Sequence, residues 1–295
     1  MKKTVFEGVG TALITPMDEH GICYDEFGRL IDWQIESGIN ALVVAGTTGE
    51  ASTLSDDEHR ECIDYAVRRA AGRVPVIAGA GSNDLAYALD LVDCACASGA
   101  DAVLVVTPYY NKATPEGLLA HYGAISAAVH IPVILYNVPS RTGVDMPVSV
   151  YRQLSKLPNI AGVKEASADI TKIVRIRAAC PAGFAVWSGN DDQIVPIMAL
   201  GGKGVISVLS NVLPAQTQAM ARAALDGMSE GYQFAAARYK DDIVTHLLEE
   251  WSLTVDPNNY KKGYIETTFY CFGLPESHQG SAEENLMQLS LLLVD

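Results

Sequence analysis

Lys164 lies in the segment Ile160-Ala161-Gly162-Val163-Lys164-Glu165-Ala166, at the end of a run that reads as a buried strand. An ammonium taken out of water loses its hydration at considerable cost. Burial therefore biases a lysine towards its neutral amine, the form that attacks a carbonyl carbon to make a Schiff base. Taken alone, the segment also fits a plainer reading, a strand-end lysine whose stem covers apolar surface while its charge reaches water.

Residues of matching chemistry end other apolar runs. Thr47 and Thr48 stand in Gly46-Thr47-Thr48-Gly49-Glu50, and Tyr109 and Tyr110 in Thr107-Pro108-Tyr109-Tyr110-Asn111. Tyr136 and Arg141 stand in Tyr136-Asn137-Val138-Pro139-Ser140-Arg141-Thr142-Gly143, and another run ends in Ser188-Gly189-Asn190-Asp191-Asp192. Making an imine, and then an enamine, moves protons that a phenol can relay. Arginine offers a bidentate fork for a carboxylate, and glycines let backbone N–H groups approach a small acid. Each residue also has an ordinary structural reading. The threonines could cap a turn, Tyr136 could pack a core and Arg141 could pair with a surface acid.

The elements that must position these residues can be read from the apolar pattern. Eight short runs, at 9–15, 41–46, 74–79, 102–107, 132–137, 160–164, 184–189 and 204–207, are rich in Val, Ile, Leu and Ala without polar alternation. Strands buried on both faces of a parallel sheet read this way. Helical patterns separate them. Phe27, Leu30, Ile31 and Ile35 share one helical face that Gly38 can end, and Ser55-Asp56-Asp57-Glu58 is a capping box. Thr114-Pro115 is an N-cap followed by proline at the first helical position, and Pro147 and Pro214 open later helices. Eight strand–helix units imply an α/β fold, a closed (β/α)8 barrel over 1–230, with additional C-terminal helices over 231–295 packed on it. An open doubly wound sheet is the second choice. In such barrels the active site lies at the C-terminal ends of the strands, and that one end collects Lys164, Tyr109, Tyr110, Tyr136, Thr47, Thr48 and Arg141.

Bulk properties narrow the function. The chain has 295 residues, 21 Lys and Arg against 35 Asp and Glu, and a net charge of −14. That balance opposes nucleic-acid or anionic-membrane partners, which need basic patches. The six cysteines show no CxxC spacing, so reduced thiols in a cytoplasmic protein are expected. The N-terminus lacks the apolar stretch of a signal peptide, and no run of 18 apolar residues offers a membrane span. Gly79-Ala80-Gly81-Ser82-Asn83-Asp84 lacks the third glycine of a dinucleotide fingerprint, and Gly201-Gly202-Lys203-Gly204 lacks Walker A spacing. The six scattered histidines form no HExxH pair, so no metal site is expected.

From Phe6 to Leu213 the four strand-end motifs at Thr47, Tyr110, Tyr136 and Lys164, in this order, closely resemble the dihydrodipicolinate synthase family. That family belongs to the pyruvate-dependent class I aldolases, together with N-acetylneuraminate lyase. The resemblance implies that Lys164 forms a Schiff base with pyruvate and that Tyr136 is the central proton relay. It implies that Thr47 hydrogen-bonds to Tyr136 and links it to Tyr110, which reaches over from a neighbouring subunit. Thr48 would hold the pyruvate carboxylate, Arg141 the carboxylate of aspartate-4-semialdehyde, and Gly189 and Ile206 would supply backbone around the lysine. A homotetramer of two tight dimers, or a homodimer, is implied as well, with no metal or organic cofactor.

Arg141 favours the synthase over the lyases, which generally lack an arginine there. A retro-aldol lyase acting on a 2-keto-3-deoxy acid or N-acetylneuraminate, and a non-catalytic keto-acid-binding barrel, are the competing readings. The chain departs from the family at three places. Asp56 and Tyr87 stand where lysine-inhibited members carry His and Glu, although the possible allosteric residues His59, Asn83 and Tyr109 remain. Losing a carboxylate that would meet an ammonium weighs against inhibition by lysine. Asn190 replaces an aspartate, and 256–272 is unlike the Pro-rich segment usual in the family.

Overall fold

The structure is a computed structural model and describes residues 4–226. The expected extension at 231–295 and the unusual segment 256–272 lie outside the described residues.

Eight strands form the barrel: β1 (Gly8–Ala12), β2 (Ala41–Val44), β3 (Val76–Gly79), β4 (Ala102–Val106), β5 (Val133–Asn137), β6 (Ile160–Glu165), β7 (Ala185–Ser188) and β8 (Gly204–Ser207). All pairings are parallel, each strand beside its sequence neighbour, and β8 pairs with β1 to close the ring. Eight helices alternate with them: α1 (Tyr24–Glu36), α2 (Asp56–Ala70), α3 (Leu85–Ser98), α4 (Pro115–Ala128), α5 (Val148–Leu154), α6 (Ile170–Ala179), α7 (Ile194–Ala199) and α8 (Pro214–Leu225). The expected (β/α)8 barrel is therefore the fold.

Local chemistry explains the boundaries. Ser55 accepts from the Glu58 N–H while the Glu58 side chain takes the Ser55 N–H, so the capping box opens α2. Thr114 caps α4 and Pro115 is its first residue. Gly38 adopts φ +85° just past α1, and its N–H reaches Ile35 O at 3.0 Å. β1 is shorter than the apolar run 9–15, because the Ile14 N–H is taken by the Asn211 side chain at 3.1 Å. β4 stops at Val106, two residues before Pro108, and β3 starts only after Pro75. Among the small elements that the sequence pattern missed, two flank the barrel strands. One is a hairpin of Met17–Asp18 and Gly21–Ile22, and the other is a helical turn at Pro139–Thr142.

Two apolar layers sandwich the strands. Ala41, Val43, Ile77, Ala102, Leu104, Ile134, Ala185, Trp187 and Ile206 fill the barrel axis. Leu42, Val44, Ala78, Val103, Val105, Val133, Leu135, Val163 and Val186 face the helices. Strands with both faces buried have no polar side to read, which accounts for their continuous apolar runs. Phe6 enters the barrel, stacks on Trp187 at a centroid distance of 5.1 Å and accepts the indole N–H on its carbonyl at 3.3 Å. The interior is thus a packed plug that leaves only its upper end for chemistry.

Candidate active site

Lys164 and Tyr136 face each other inside the barrel mouth. They are register partners across β5 and β6, only 4% and 6% exposed. The Lys164 Nζ stands 4.5 Å from the centre of the Tyr136 ring. A bulge brings the lysine to this face. Val133 pairs with Ile160 but Ile134 pairs with Gly162, so Ala161 is an extra residue in β6. Ile160 packs outward with the helical layer, and past the bulge Gly162 and Lys164 turn inward. Without it the alternation would run one residue out of step. Gly162 must stay bare, since a methyl there would lie 2.2 Å from the Ala185 carbonyl oxygen and 2.9 Å from Trp187. Trp187 also pairs with Lys164 in register, so the lysine stands on an apolar floor.

Above β2 the chain turns tightly through 46–50. The Thr15 hydroxyl donates to Gly49 O at 2.7 Å and the Glu50 N–H reaches Thr47 O at 3.1 Å. A methyl on Gly49 would crowd Leu13 O at 3.1 Å. This packing buries Thr48 and leaves Thr47 exposed. The hydrogen bond implied from Thr47 to Tyr136 is not formed among the described residues.

Arg141 is carried by the helical turn at the end of β5. Pro139 starts the turn, and Gly143 ends it at φ +69° with its N–H on Pro139 O at 3.0 Å. The Thr142 hydroxyl donates to Val138 O at 3.2 Å or to Val144 O at 3.1 Å, so the turn that carries the exposed Arg141 is stiff. Gly189 follows β7, with its N–H on Glu165 O at 2.8 Å, and a methyl there would meet Ala166 at 2.6 Å. Ile206 is wholly buried on the barrel axis in β8.

Tyr110 does not join the site within one chain. It sits at φ +70°, in the left-handed region that non-glycine residues seldom use, and its side chain is 88% exposed. Its N–H contacts Thr142 O at 3.4 Å, which ties the loop after β4 to the arginine-bearing turn. Tyr109 is also exposed.

The expected allosteric residues are His59 on α2, Asn83 in the loop after β3 and Tyr109 in the loop after β4. His59 is buried and donates from Nε2 to Gly79 O at 2.8 Å, and burial lowers its pKa from 6.5. Asn83 donates to the Asn111 side chain at 3.3 Å. The two departures touch each other, with Tyr87 donating to Asp56 at 2.8 Å. The Tyr87 phenol is pushed up to about 12, first by burial and then by that bond.

The sequence assigned no role to Asp191. Its carboxylate accepts the Ser207 hydroxyl and the N–H groups of Val208 and Leu209, the latter two at 3.1 Å, and so ties the loop after β7 to the end of β8. Burial raises its pKa, and Lys164 is among the charges opposing that shift. Polar residues directly after a strand were the available signal. No group of three or more His, Cys, Asp or Glu side chains among the described residues could hold a metal ion, and no described helix is long and apolar enough to cross a membrane.

Fold and site together define a class, the (β/α)8 barrels built around an interior lysine at the C-terminal mouth. Residues 5–276 match the sequence model of the dihydrodipicolinate synthetase family, and the chain belongs to that family. The 4-hydroxy-tetrahydrodipicolinate synthase of Thermoanaerobacter sp. (strain X514) is 49% identical over 224 residues, 76% of this chain and 75% of that one. Among solved structures, dihydrodipicolinate synthase from Aquifex aeolicus superposes with a TM-score of 0.82 at 38% identity, covering 98% of this chain and 97% of that one. The chloride-inhibited dihydrodipicolinate synthase from Acinetobacter baumannii, solved in complex with pyruvate, gives 0.81 at 35% identity, covering 98% of each chain.

Proposed function

We propose that the chain is a 4-hydroxy-tetrahydrodipicolinate synthase, condensing pyruvate with L-aspartate-4-semialdehyde in lysine and diaminopimelate biosynthesis. One observation carries the chemistry: Lys164 is buried inside the barrel mouth against Tyr136, and its amine is the nucleophile there. Relatives at about half identity carry the choice of substrates.

The reaction then runs as follows. The Lys164 amine attacks the keto carbon of pyruvate, and loss of water leaves an imine. A methyl proton departs to give the enamine, whose carbon attacks the aldehyde. The amino group of the second substrate then displaces the lysine from the imine carbon, closing the ring. One water is released overall and the enzyme is regenerated. Tyr136, beside the amine, relays the protons. Thr48 and its backbone hold the pyruvate carboxylate in the turn above β2, and Gly189 and Ile206 frame the lysine with backbone. Arg141 receives the carboxylate of the aldehyde.

Tyr110 enters only through assembly. Its exposure and its left-handed backbone fit a side chain held out towards a second copy, where with Thr47 it extends the relay from Tyr136. A homodimer is the smallest assembly that completes the site, and a homotetramer is the family's common form. Cys62, Cys94 and Cys96 are free thiols, which supports a cytoplasmic location. His59, Asn83 and Tyr109 form the candidate effector region. Tyr87 stands where lysine-inhibited members carry Glu, and it donates to Asp56, so the carboxylate that would meet an effector's ammonium there is lost, which argues against inhibition by lysine.

The test is product formation from pyruvate with a panel of aldehydes. Turnover with aspartate semialdehyde far above that with sugar-like aldehydes is expected. Preference for a sugar-like aldehyde would select the retro-aldol lyase instead.

A further inference from the structure

Strand alternation sends the residues after Tyr136 and Lys164 to the opposite face of the sheet. These are Asn137 and Glu165, the last register pair of β5 and β6, and both are buried at 0% and 2% exposure. They face the helical layer, where most of the strand surface is apolar.

Asn137 donates one amide hydrogen to Glu165 Oε1 at 2.8 Å and another to Asp145 Oδ1 at 2.9 Å. Its amide oxygen accepts the Met146 N–H at 2.9 Å. Glu165 Oε1 also accepts the Ser167 N–H at 3.0 Å. Glu165 Oε2 accepts the Tyr151 hydroxyl at 2.7 Å, and the Lys172 ammonium lies 3.8 Å from it while pairing with Asp145. Tyr151 keeps its proton, because burial and then the charge of Glu165 push its pKa well up. The amide of Asn137 and both oxygens of Glu165 are therefore engaged, by groups from the loop before α5, from α5 itself, from the loop after β6 and from α6.

A buried ionic network of this kind is weak support for stability, since well-packed apolar side chains usually do as well. Its place suggests another task. The Asn137–Glu165 bond crosses the sheet one residue beyond the Tyr136–Lys164 pair. A peptide unit is planar, so fixing Asn137 and Glu165 fixes the backbone that aims their inward neighbours. We infer that Asn137 and Glu165 are positioning residues, a clamp on the outer face of the sheet that holds the Lys164 amine and the Tyr136 ring in register for imine formation. This rests on the proposed imine chemistry. The clamp touches no substrate; it acts through the two residues that do.

The test uses the full chain in its assembled form, with Asn137→Ala, Glu165→Ala and Glu165→Gln. Each variant is mixed with saturating pyruvate, quenched with borohydride at successive times, and the adduct on Lys164 is counted by mass spectrometry. Thermal unfolding is followed in parallel. Misplacing reacting groups by about 1 Å costs on the order of 100-fold in rate. The clamp predicts imine formation roughly 10- to 100-fold slower in folded Asn137→Ala and Glu165→Ala, with half-saturation by pyruvate changed far less. Glu165→Gln keeps the acceptor for Asn137 and Ser167 and recovers most of the rate. If Asn137→Ala does not fold, Asn137→Ser is held to the same rate criterion. An unchanged rate per folded molecule, with only the melting temperature lowered, overturns the clamp. A parent chain that gives no adduct overturns the imine reading, and the clamp's role with it.

Discussion

Tyr136→Phe separates chemistry from architecture more cleanly than any other single change. The substitution removes one oxygen and keeps the ring that lies 4.5 Å from the Lys164 Nζ. The Tyr136 hydroxyl makes no hydrogen bond to another described residue, so none of these is left stranded. The stability change should stay within about 1 kcal/mol, the scale of one lost hydrogen bond. Proton relay by a positioned group is worth roughly 10²- to 10⁴-fold in rate. That corresponds to about 2.7–5.4 kcal/mol in barrier height. The expected outcome is a kcat lowered by that factor at a nearly unchanged melting temperature. The assay measures kcat and KM for both substrates alongside thermal unfolding, with borohydride trapping to show that pyruvate still binds. A Tyr136→Phe enzyme within about threefold of the parent, well outside that range, would refute the relay.

Three further outcomes follow from particular contacts. Arg141→Ala should raise KM for aspartate semialdehyde roughly 10- to 100-fold, since a hydrogen bond to a charged group is worth about 1.5–3 kcal/mol. Its rate of adduct formation with pyruvate alone should be unchanged. Gly162→Ala places a methyl 2.2 Å from the Ala185 carbonyl oxygen, and the melting temperature should fall by roughly 5–10 °C. His59 has a pKa lowered from 6.5, so its contribution to stability is present above that value and is lost as pH falls through the lowered folded pKa. Urea unfolding of His59→Gln should therefore depend less steeply on pH below 6.5 than that of the parent, by up to about 1.4 kcal/mol per pH unit.

The barrel was legible because doubly buried strands make continuous apolar runs, and because Ser55 and Thr114 punctuate the helices with caps. Those same runs hid which face each side chain takes. Nothing in Ile160-Ala161-Gly162-Val163-Lys164 announces the bulge at Ala161 that turns Lys164 into the barrel. The strand-end rule named Lys164, Tyr136 and Thr48, and the chain buries all three. It also named Thr47 and Tyr110, which one chain leaves exposed. Asn137 and Glu165 were visible only as letters inside motifs. Their significance is that a polar side chain at an outward, fully buried position must find partners, and those partners come from α5, α6 and the loops beside them. The short turn at Pro139–Thr142 escaped notice because four residues are too few to show a period.

The measurement that bears most directly on the account is borohydride reduction of the intact enzyme with pyruvate, followed by peptide mass spectrometry. The account predicts a single stable pyruvate adduct on Lys164, and none in a Lys164→Met chain. An adduct on another lysine, or none at all, would contradict the imine mechanism and leave the buried lysine a structural feature of a keto-acid-binding barrel.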